Sequence, residues 1–264
     1  MLKSFQESNR AAFIPFLVVG DPSIEATERA VDILVEEGAD LLELGVPFSD
    51  ALADGPVIQA ASERASRSCG SIVGVLELAG RIRRKHPGLP LILFTYFNPI
   101  LRLGIETFAR AAQLAGVEAA LVVDLPPEEA GFYRKIMENY GIKTVFLASP
   151  TTSSDRFPNI ADASTGFIYY VSRTGVTGVQ QSLSESLESE LAALRKLTRK
   201  PVAVGFGISN AEQAKVVARL GDAVVVGSAF VKLMAQHAQD PARMETEVRK
   251  LARELVVAIR TARS

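Results

Sequence analysis

Reactive side chains are scarce in this sequence. Its 264 residues contain one cysteine, Cys69, and two histidines, His86 and His237. A single cysteine excludes an internal disulfide and fits a reducing compartment. Cys69 stands in the polar segment Ser68-Cys69-Gly70, away from any strand terminus, which argues against use as a nucleophile. His86 precedes Pro87-Gly88 at a helix end, and His237 lies in the last helical region. Neither is placed for histidine acid–base catalysis or for a zinc site. The lysines nearest strands, Lys143 and Lys200, precede theirs and fall at the wrong end of a parallel sheet for a Schiff base. Charge of one sign is also missing: 29 Lys and Arg face 30 Asp and Glu with no basic stripe, which argues against nucleic acid or an anionic membrane as partner. Apolar runs are all too short to span a bilayer, and the polar start MLKSFQESNR lacks a signal-peptide core, so a cytoplasmic location is expected.

What is present is an alternation. Hydrophobic residues at 48% and charged residues at 22% describe an ordinary globular chain. A short apolar run, rich in β-branched residues, recurs at roughly thirty-residue intervals and is followed by a polar loop and an amphipathic helix. The runs lie at 13–19, 41–44, 91–95, 119–123, 144–147, 167–171, 202–204 and 223–226. Near-continuous apolar runs are what strands buried on both faces require. Ser23 is placed to cap a helix with Glu25 in its first turn, whose face Ile24, Thr27, Val31 and Leu34 ends at Gly38. Ile105, Phe108 and Ala112 stop at Gly116, and Phe132, Ile136 and Tyr140 stop at Gly141. Ser209 with Glu212 reads as a capping box, and Val217 and Leu220 precede Gly221. Three stops lead through an acid into a strand: Gly38-Ala39-Asp40, Gly116-Val117-Glu118 and Gly221-Asp222. Eight such units can close into a barrel or lie open as a doubly wound sheet, and the lack of a composition break favours the barrel. The expected fold is a single α/β domain over 1–264, a (β/α)8 TIM barrel with an extra N-terminal helix and a C-terminal helix over 241–262.

In such a barrel, reactive groups gather where strands end. Glu43 ends the second strand among apolar neighbours, Leu41-Leu42-Glu43-Leu44. There a carboxyl is partly desolvated and suited to acid–base work, unless it is a paired structural acid inside the barrel. Asp54, on the following loop, reads equally as functional or as a solvated or capping aspartate. Asp124, at the end of strand four, reads as a cap for the next helix. Gly178, Gly205, Gly207 and Gly227-Ser228 fall in the loops after strands six, seven and eight. Glycine lets backbone N–H groups approach a ligand, and helix starts bind anions, so three such loops point to a phosphate. With histidine, lysine and cysteine set aside, carboxylate chemistry on a phosphorylated substrate is left.

These residues also resemble a known family, the α subunit of tryptophan synthase. Leu42-Glu43-Leu44-Gly45-Val46-Pro47-Phe48-Ser49-Asp50, continuing to Leu52-Ala53-Asp54-Gly55-Pro56, is similar to its signature segment. Further matches are Ser172-Arg173-Thr174-Gly175-Val176-Thr177-Gly178, Gly205-Phe206-Gly207-Ile208, Pro15-Phe16 with Gly20-Asp21-Pro22, and Gly227-Ser228-Ala229. They run in order from the first strand to the eighth. The resemblance implies a lyase of tryptophan biosynthesis that performs the retro-aldol cleavage of indole-3-glycerol phosphate to indole and glyceraldehyde 3-phosphate. It implies that Glu43 protonates indole C3 and assists proton removal from the glycerol hydroxyl, while Asp54 hydrogen-bonds the indole N–H. Phe16, Tyr96, Tyr169 and Phe206 would bind substrate, with Thr177 meeting Asp54 when the strand-six loop closes. Gly178, Gly207, Gly227 and Ser228 would hold the phosphate. The implied partner is a β subunit in an α2β2 complex, with Asn98 and Pro126 near the interface. Pyridoxal phosphate is expected only in that partner, with no cofactor or metal in this chain. Two departures stand out: Ala51 where the family usually has proline, and Phe97 where it often has tyrosine or alanine. Rival readings are a stand-alone indole-releasing lyase, a metal aldolase built on Glu43, Asp54 and Asp124, and a non-catalytic phosphate-binding barrel.

Overall fold

The eight apolar runs form eight parallel strands that close in sequence order: β1 (Ala12–Val18), β2 (Leu42–Gly45), β3 (Leu91–Thr95), β4 (Val117–Val122), β5 (Lys143–Ala148), β6 (Ile168–Val171), β7 (Val202–Gly205) and β8 (Ala223–Val226). The computed structural model describes residue 5 and residues 10–69, 71–171, 180–205 and 207–263, with backbone alone over 180–186. Every residue of β1, β2, β7 and β8 is buried, as strands coated on both faces must be. Alternate residues serve two cores. Ala12, Ile14, Phe16 and Val18 point into the barrel with Ile92, Leu121, Val145 and Ala203. Phe13, Leu17, Leu42, Leu44, Leu93 and Val204 point outward to the helices. Closure leaves no strand edge unpaired.

Eleven helices surround the barrel among the described residues: α1 (Ile24–Glu37), α2 (Pro56–Ala65), α3 (Ile72–Lys85), α4 (Phe97–Leu103), α5 (Ile105–Leu114), α6 (Gly131–Asn139), α7 (Phe157–Ala163), α8 (Gln180–Leu197), α9 (Ala211–Leu220), α10 (Ser228–Gln236) and α11 (Pro241–Arg260). The expected caps of α1 are present. Ser23 Oγ accepts from the Ala26 N–H at 3.1 Å, and Gly38, at φ 103°, ends the helix in the left-handed region that only glycine enters freely. Two helix expectations need correction. The cap of α9 is Asn210, whose side chain accepts from the Gln213 N–H, because Ser209 lies one residue outside the helix. The buried face of α6 is Tyr133 and Met137, while Phe132 is 71% exposed. The ring of Phe97 decides this register, meeting Tyr133 edge-on at 6.1 Å.

α11 packs outside, burying Met244, Val248, Ala252, Leu255 and Ile259 against the barrel helices. Arg249 and Arg253 pair with Glu36 and Glu37 of α1. The expected N-terminal helix lies outside the described residues, apart from Phe5, whose ring meets Phe167 at 5.4 Å. No described helix is long and apolar enough to cross a membrane.

The acids that precede strands stitch the amino end of the barrel. Asp40 Oδ2 accepts from the Phe13 N–H and from Arg10 Nη1, both at 2.8 Å, and Oδ1 accepts from Arg10 Nη2 at 2.6 Å. Asp222 Oδ2 accepts from the Val202 N–H at 2.7 Å and pairs with Arg195. Lys200 Nζ donates to the carbonyls of Ala161 and Ser164 at the end of α7. That fixes Lys200 at the amino end, far from the mouth, as its position before β7 requires.

Candidate active site

The carboxyl end of the barrel is built from alternating large and small residues. Aromatics come from β1, β3 and β6 (Phe16, Phe94, Tyr169), and glycines from β2, β7 and the end of β8 (Gly45, Gly205, Gly227). The glycines are required by the aromatics. A Cβ on Gly45 would stand 2.6 Å from Phe16 Cζ, and one on Gly227 would stand 2.9 Å from Phe16 Cδ1. A Cβ on Gly205 would run into the Tyr169 hydroxyl. Phe16 and Phe94 then meet edge to face, centroids 5.2 Å apart at 73°. Above this layer opens a cavity of about 850 Å³, counting its open mouth. Its walls are apolar, with Phe16, Phe94, Ile58, Val123, Leu147, Val171, Ile208 and Val225.

Among the described lining residues the ionisable groups are Glu43, Asp54 and Tyr169. Strand parity puts Glu43 on the inner face beside Phe16, its register partner. It is 1% exposed, and neither carboxyl oxygen has a hydrogen-bond partner among the described residues. Burial, reinforced by the nearby charge of Asp54, pushes its pKa up to about 8. Glu43 therefore holds its proton at neutral pH and is an acid without a structural duty. The paired-structural-acid alternative fails on that geometry.

Asp54 sits on the β2–α2 loop at the cavity wall, with a pKa raised to about 6 by burial and held down in part by a hydrogen bond from Tyr96. The Tyr96 hydroxyl donates to Asp54 Oδ2 at 3.0 Å and accepts from the Ala53 N–H at 3.0 Å. Its ring packs on Phe48 at 5.0 Å. Tyr96 is 4% exposed and is not among the described lining residues, and its reach to the cavity is through Asp54. Tyr169 lines the cavity, and burial together with the charges of Glu43 and Asp54 keeps its hydroxyl neutral.

Gly207 (φ 73°), after β7, also lines the cavity, as do Gly227 and Ser228 at the start of α10. The first-turn N–H groups of a helix are unsatisfied within it and carry its positive dipole end, so this wall favours an anion. The cavity thus combines apolar walls, two carboxyl groups and a helix start suited to an anion. Thr177, Gly178 and Phe206 lie outside the described residues.

Asp124 is elsewhere. Its Oδ1 accepts from the Phe97 N–H at 2.7 Å, so it caps α4, the helix after the preceding strand, where a cap for its own next helix was expected. It does not line the cavity, and the described residues hold no group of three His, Cys, Asp or Glu placed to share a metal ion. The triad of Glu43, Asp54 and Asp124 required by a metal aldolase is not assembled. The sequence reading missed Phe94, Val123, Leu147, Val171 and Val225 as cavity walls. Strand parity was the available signal: each lies on the inner face of its strand or just beyond its end.

The family model described as "Tryptophan synthase alpha chain" matches residues 2–260. The tryptophan synthase alpha chain of Solibacter usitatus is 47% identical over 250 residues, covering 95% of this chain and 93% of that protein. The crystal structure of a tryptophan synthase alpha chain from Legionella pneumophila superposes with a TM-score of 0.89 at 33% identity, covering 98% of this chain and 96% of that one. A tryptophan synthase complex from Pyrococcus furiosus contains a chain with a TM-score of 0.82 at 35% identity, over 94% of this chain and 98% of that one. The barrel closed on these strands, with an unpartnered acid at its mouth and a match along nearly its whole length, belongs to the tryptophan synthase alpha chain family.

Proposed function

We propose that Glu43 and Asp54 together carry the reaction of this family, the retro-aldol cleavage of indole-3-glycerol phosphate to indole and glyceraldehyde 3-phosphate. The observation that carries the assignment is the buried, unpartnered carboxyl of Glu43, protonated at neutral pH against an apolar slot. Glu43 gives its proton to C3 of the indole ring, and the ring nitrogen takes up positive charge. Asp54, ionised above about pH 6, accepts the indole N–H and stabilises that charge. The Glu43 carboxylate then takes the proton of the glycerol hydroxyl as the C–C bond breaks. The bond electrons return to the ring, an aldehyde forms, and Glu43 ends protonated as it began. Acid–base assistance of this kind contributes roughly 10²–10⁴-fold.

The aromatic ring is bound by Phe16 and Tyr169, with Tyr96 acting on Asp54. The phosphate lies at Gly207, Gly227 and Ser228, where helix N–H groups supply charge without a cation. Gly178, Thr177 and Phe206 take their phosphate, closing and ring-binding roles from the family resemblance. No lysine is among the described lining residues, which fits chemistry that needs no cofactor in this chain. Pyridoxal phosphate belongs to the partner, a β subunit in an α2β2 assembly. Exposed large apolar side chains on the elements after β2, β3 and β4 (Leu52, Leu101 and Phe132) support a docking face there, next to Asn98 and Pro126. A single domain over 1–264 working in the cytoplasm completes the reading.

The test is indole release by the wild type and by Glu43→Gln, each with and without a β subunit. Wild type should release indole slowly alone and faster with the partner, while Glu43→Gln should lose nearly all cleavage and keep its fold and ligand affinity. An active Glu43→Gln enzyme overturns the assignment. Full activity without a partner would turn the reading towards a stand-alone lyase.

A further inference from the structure

We propose that Gln59 is a positioning residue for Asp54, clasping the catalytic loop through its backbone; this rests on the reading of the site given above. α2 starts at Pro56, and its N-cap Gly55 offers no side chain to close the helix. One turn in, Gln59 reaches back over that open end. Its Nε2 donates to the Ala51 carbonyl at 3.1 Å and to the Asp54 carbonyl at 2.8 Å. The same Ala51 carbonyl accepts from the Asp54 N–H at 3.1 Å, so residues 51–54 form a closed turn with the amide at its centre.

Asp54 is thereby held at both ends: its main-chain carbonyl by Gln59 and its carboxylate by Tyr96. At the tip of the turn Leu52 is 88% exposed, while Ala51 is buried and the Ala53 N–H donates to the Tyr96 hydroxyl. Gln59 itself stands on a fixed base. At the far end of α2, Arg64 makes a two-pronged pair with the buried Asp21, at 2.8 and 2.9 Å, just past β1. Ser68 Oγ donates to the Gly20 carbonyl at 2.6 Å. The helix is therefore pinned to the barrel at its carboxyl end and grips the loop at its amino end. The amide group is suited to this because it offers two N–H donors to two carbonyls with no charge beside Asp54.

Gln59→Met keeps the length and helix preference of the side chain and removes only the donors. It should lower kcat for indole release roughly three- to tenfold, as loss of one or two ordinary hydrogen bonds to a reacting geometry does. KM should stay within about twofold, because the ring and phosphate contacts are untouched. The loosened Asp54 gains water, so the acid limb of the kcat/KM profile should move to lower pH, away from about 6. Gln59→Glu, which turns a carboxylate towards two carbonyl oxygens, should fall further than Gln59→Met. Thermal midpoints are read beside the rates. A Gln59→Met enzyme with wild-type kcat and an unmoved acid limb overturns the proposal, as does a fall in kcat that only follows a fall in thermal midpoint with the limb unmoved. A wild type that releases no indole brings down the reading of the site itself, which is a different result.

Discussion

The two ends of the barrel treat charge in opposite ways. At the amino end Asp40 has an arginine and a backbone N–H, Asp222 has another arginine and another N–H, and Lys200 caps a helix with its three donors. At the carboxyl end Glu43 is more deeply buried than any of these and has no hydrogen-bond partner among the described residues. Asp54 beside it has one tyrosine hydroxyl. Paired groups lower the free energy of the fold; an unpaired buried acid raises it and is kept where a proton must move. The same chain thus uses one face for stability and the other for chemistry, in line with how such barrels divide labour.

The largest expected effect breaks that comparison at Glu43. Glu43→Gln should cost roughly 10²–10⁴-fold in cleavage and yet stabilise the protein at neutral and alkaline pH. At pH below the ordinary glutamate value of 4.5, the carboxyl is protonated in both the folded and unfolded chain. Between there and about 8 the unfolded chain gives up the proton while the folded chain retains it, so wild-type stability falls with rising pH. By pH 7 the loss amounts to roughly 3 kcal/mol, a pKa unit being worth about 1.4 kcal/mol. Denaturant titrations at pH 5 and pH 8 should show the variant gaining on wild type across that interval. A constant difference between the two proteins would mean that Glu43 is not held protonated by burial.

The mirror experiment is Asp40→Ala at the amino end. It removes the two-pronged pair with Arg10 and takes the acceptor from the Phe13 N–H, and should cost about 1–3 kcal/mol by denaturation, while the folded fraction cleaves substrate at the wild-type rate. Loss of specific activity in this variant would show that the two ends are not independent.

Much of this division was legible in the sequence, though not all of it. Eight runs apolar on both sides and the glycine-acid stops located every strand to within two residues, because burial on two faces leaves little freedom of composition. Glu43 stood out for the same reason, as an acid where only apolar residues fit. Facing was harder. In α6 the spacings Phe132–Ile136 and Tyr133–Met137 both describe an amphipathic stripe, and only the ring of Phe97, far off in sequence, selects the second. Asp124 was read as capping its own next helix, yet the N–H it meets belongs to Phe97, 27 residues upstream. The Tyr96 hydroxyl meets Asp54 of the preceding unit, a contact that the local pattern around neither residue announces. Each miss is a contact between neighbouring βα units. Local pattern fixes the unit, and packing fixes what one unit shows the next.

A gentler pair of changes sharpens the picture within the mouth. On the proposed mechanism Glu43 acts protonated and Asp54 ionised, so kcat/KM should trace a bell falling below about pH 6 and above about pH 8. Because the two carboxyls interact, the limbs belong to the pair, with Asp54 dominating the acid side. Gly227→Ala tests the walls around them. The added methyl would press on Phe16 at 2.9 Å, and the ring must shift into the slot, so KM should rise several-fold with both limbs unmoved. An unchanged KM would mean that Phe16 has room to give way and does not shape the slot.

The smallest expected change is Tyr96→Phe, which removes one hydroxyl and keeps the ring on Phe48. The hydroxyl donates to Asp54 and favours its ionised form, so its loss should raise the Asp54 pKa and carry the acid limb to higher pH, by less than about one unit. Activity at pH 8 should fall only a few-fold, while activity at pH 6 falls more. This direction is opposite to that expected for Gln59→Met, which lets water reach Asp54 where Tyr96→Phe only takes a donor away. Acid limbs moving apart in the two variants would show that the carboxylate and its backbone are held by separate devices. Limbs moving together would mean that Tyr96 and Gln59 act on Asp54 only as parts of one loop.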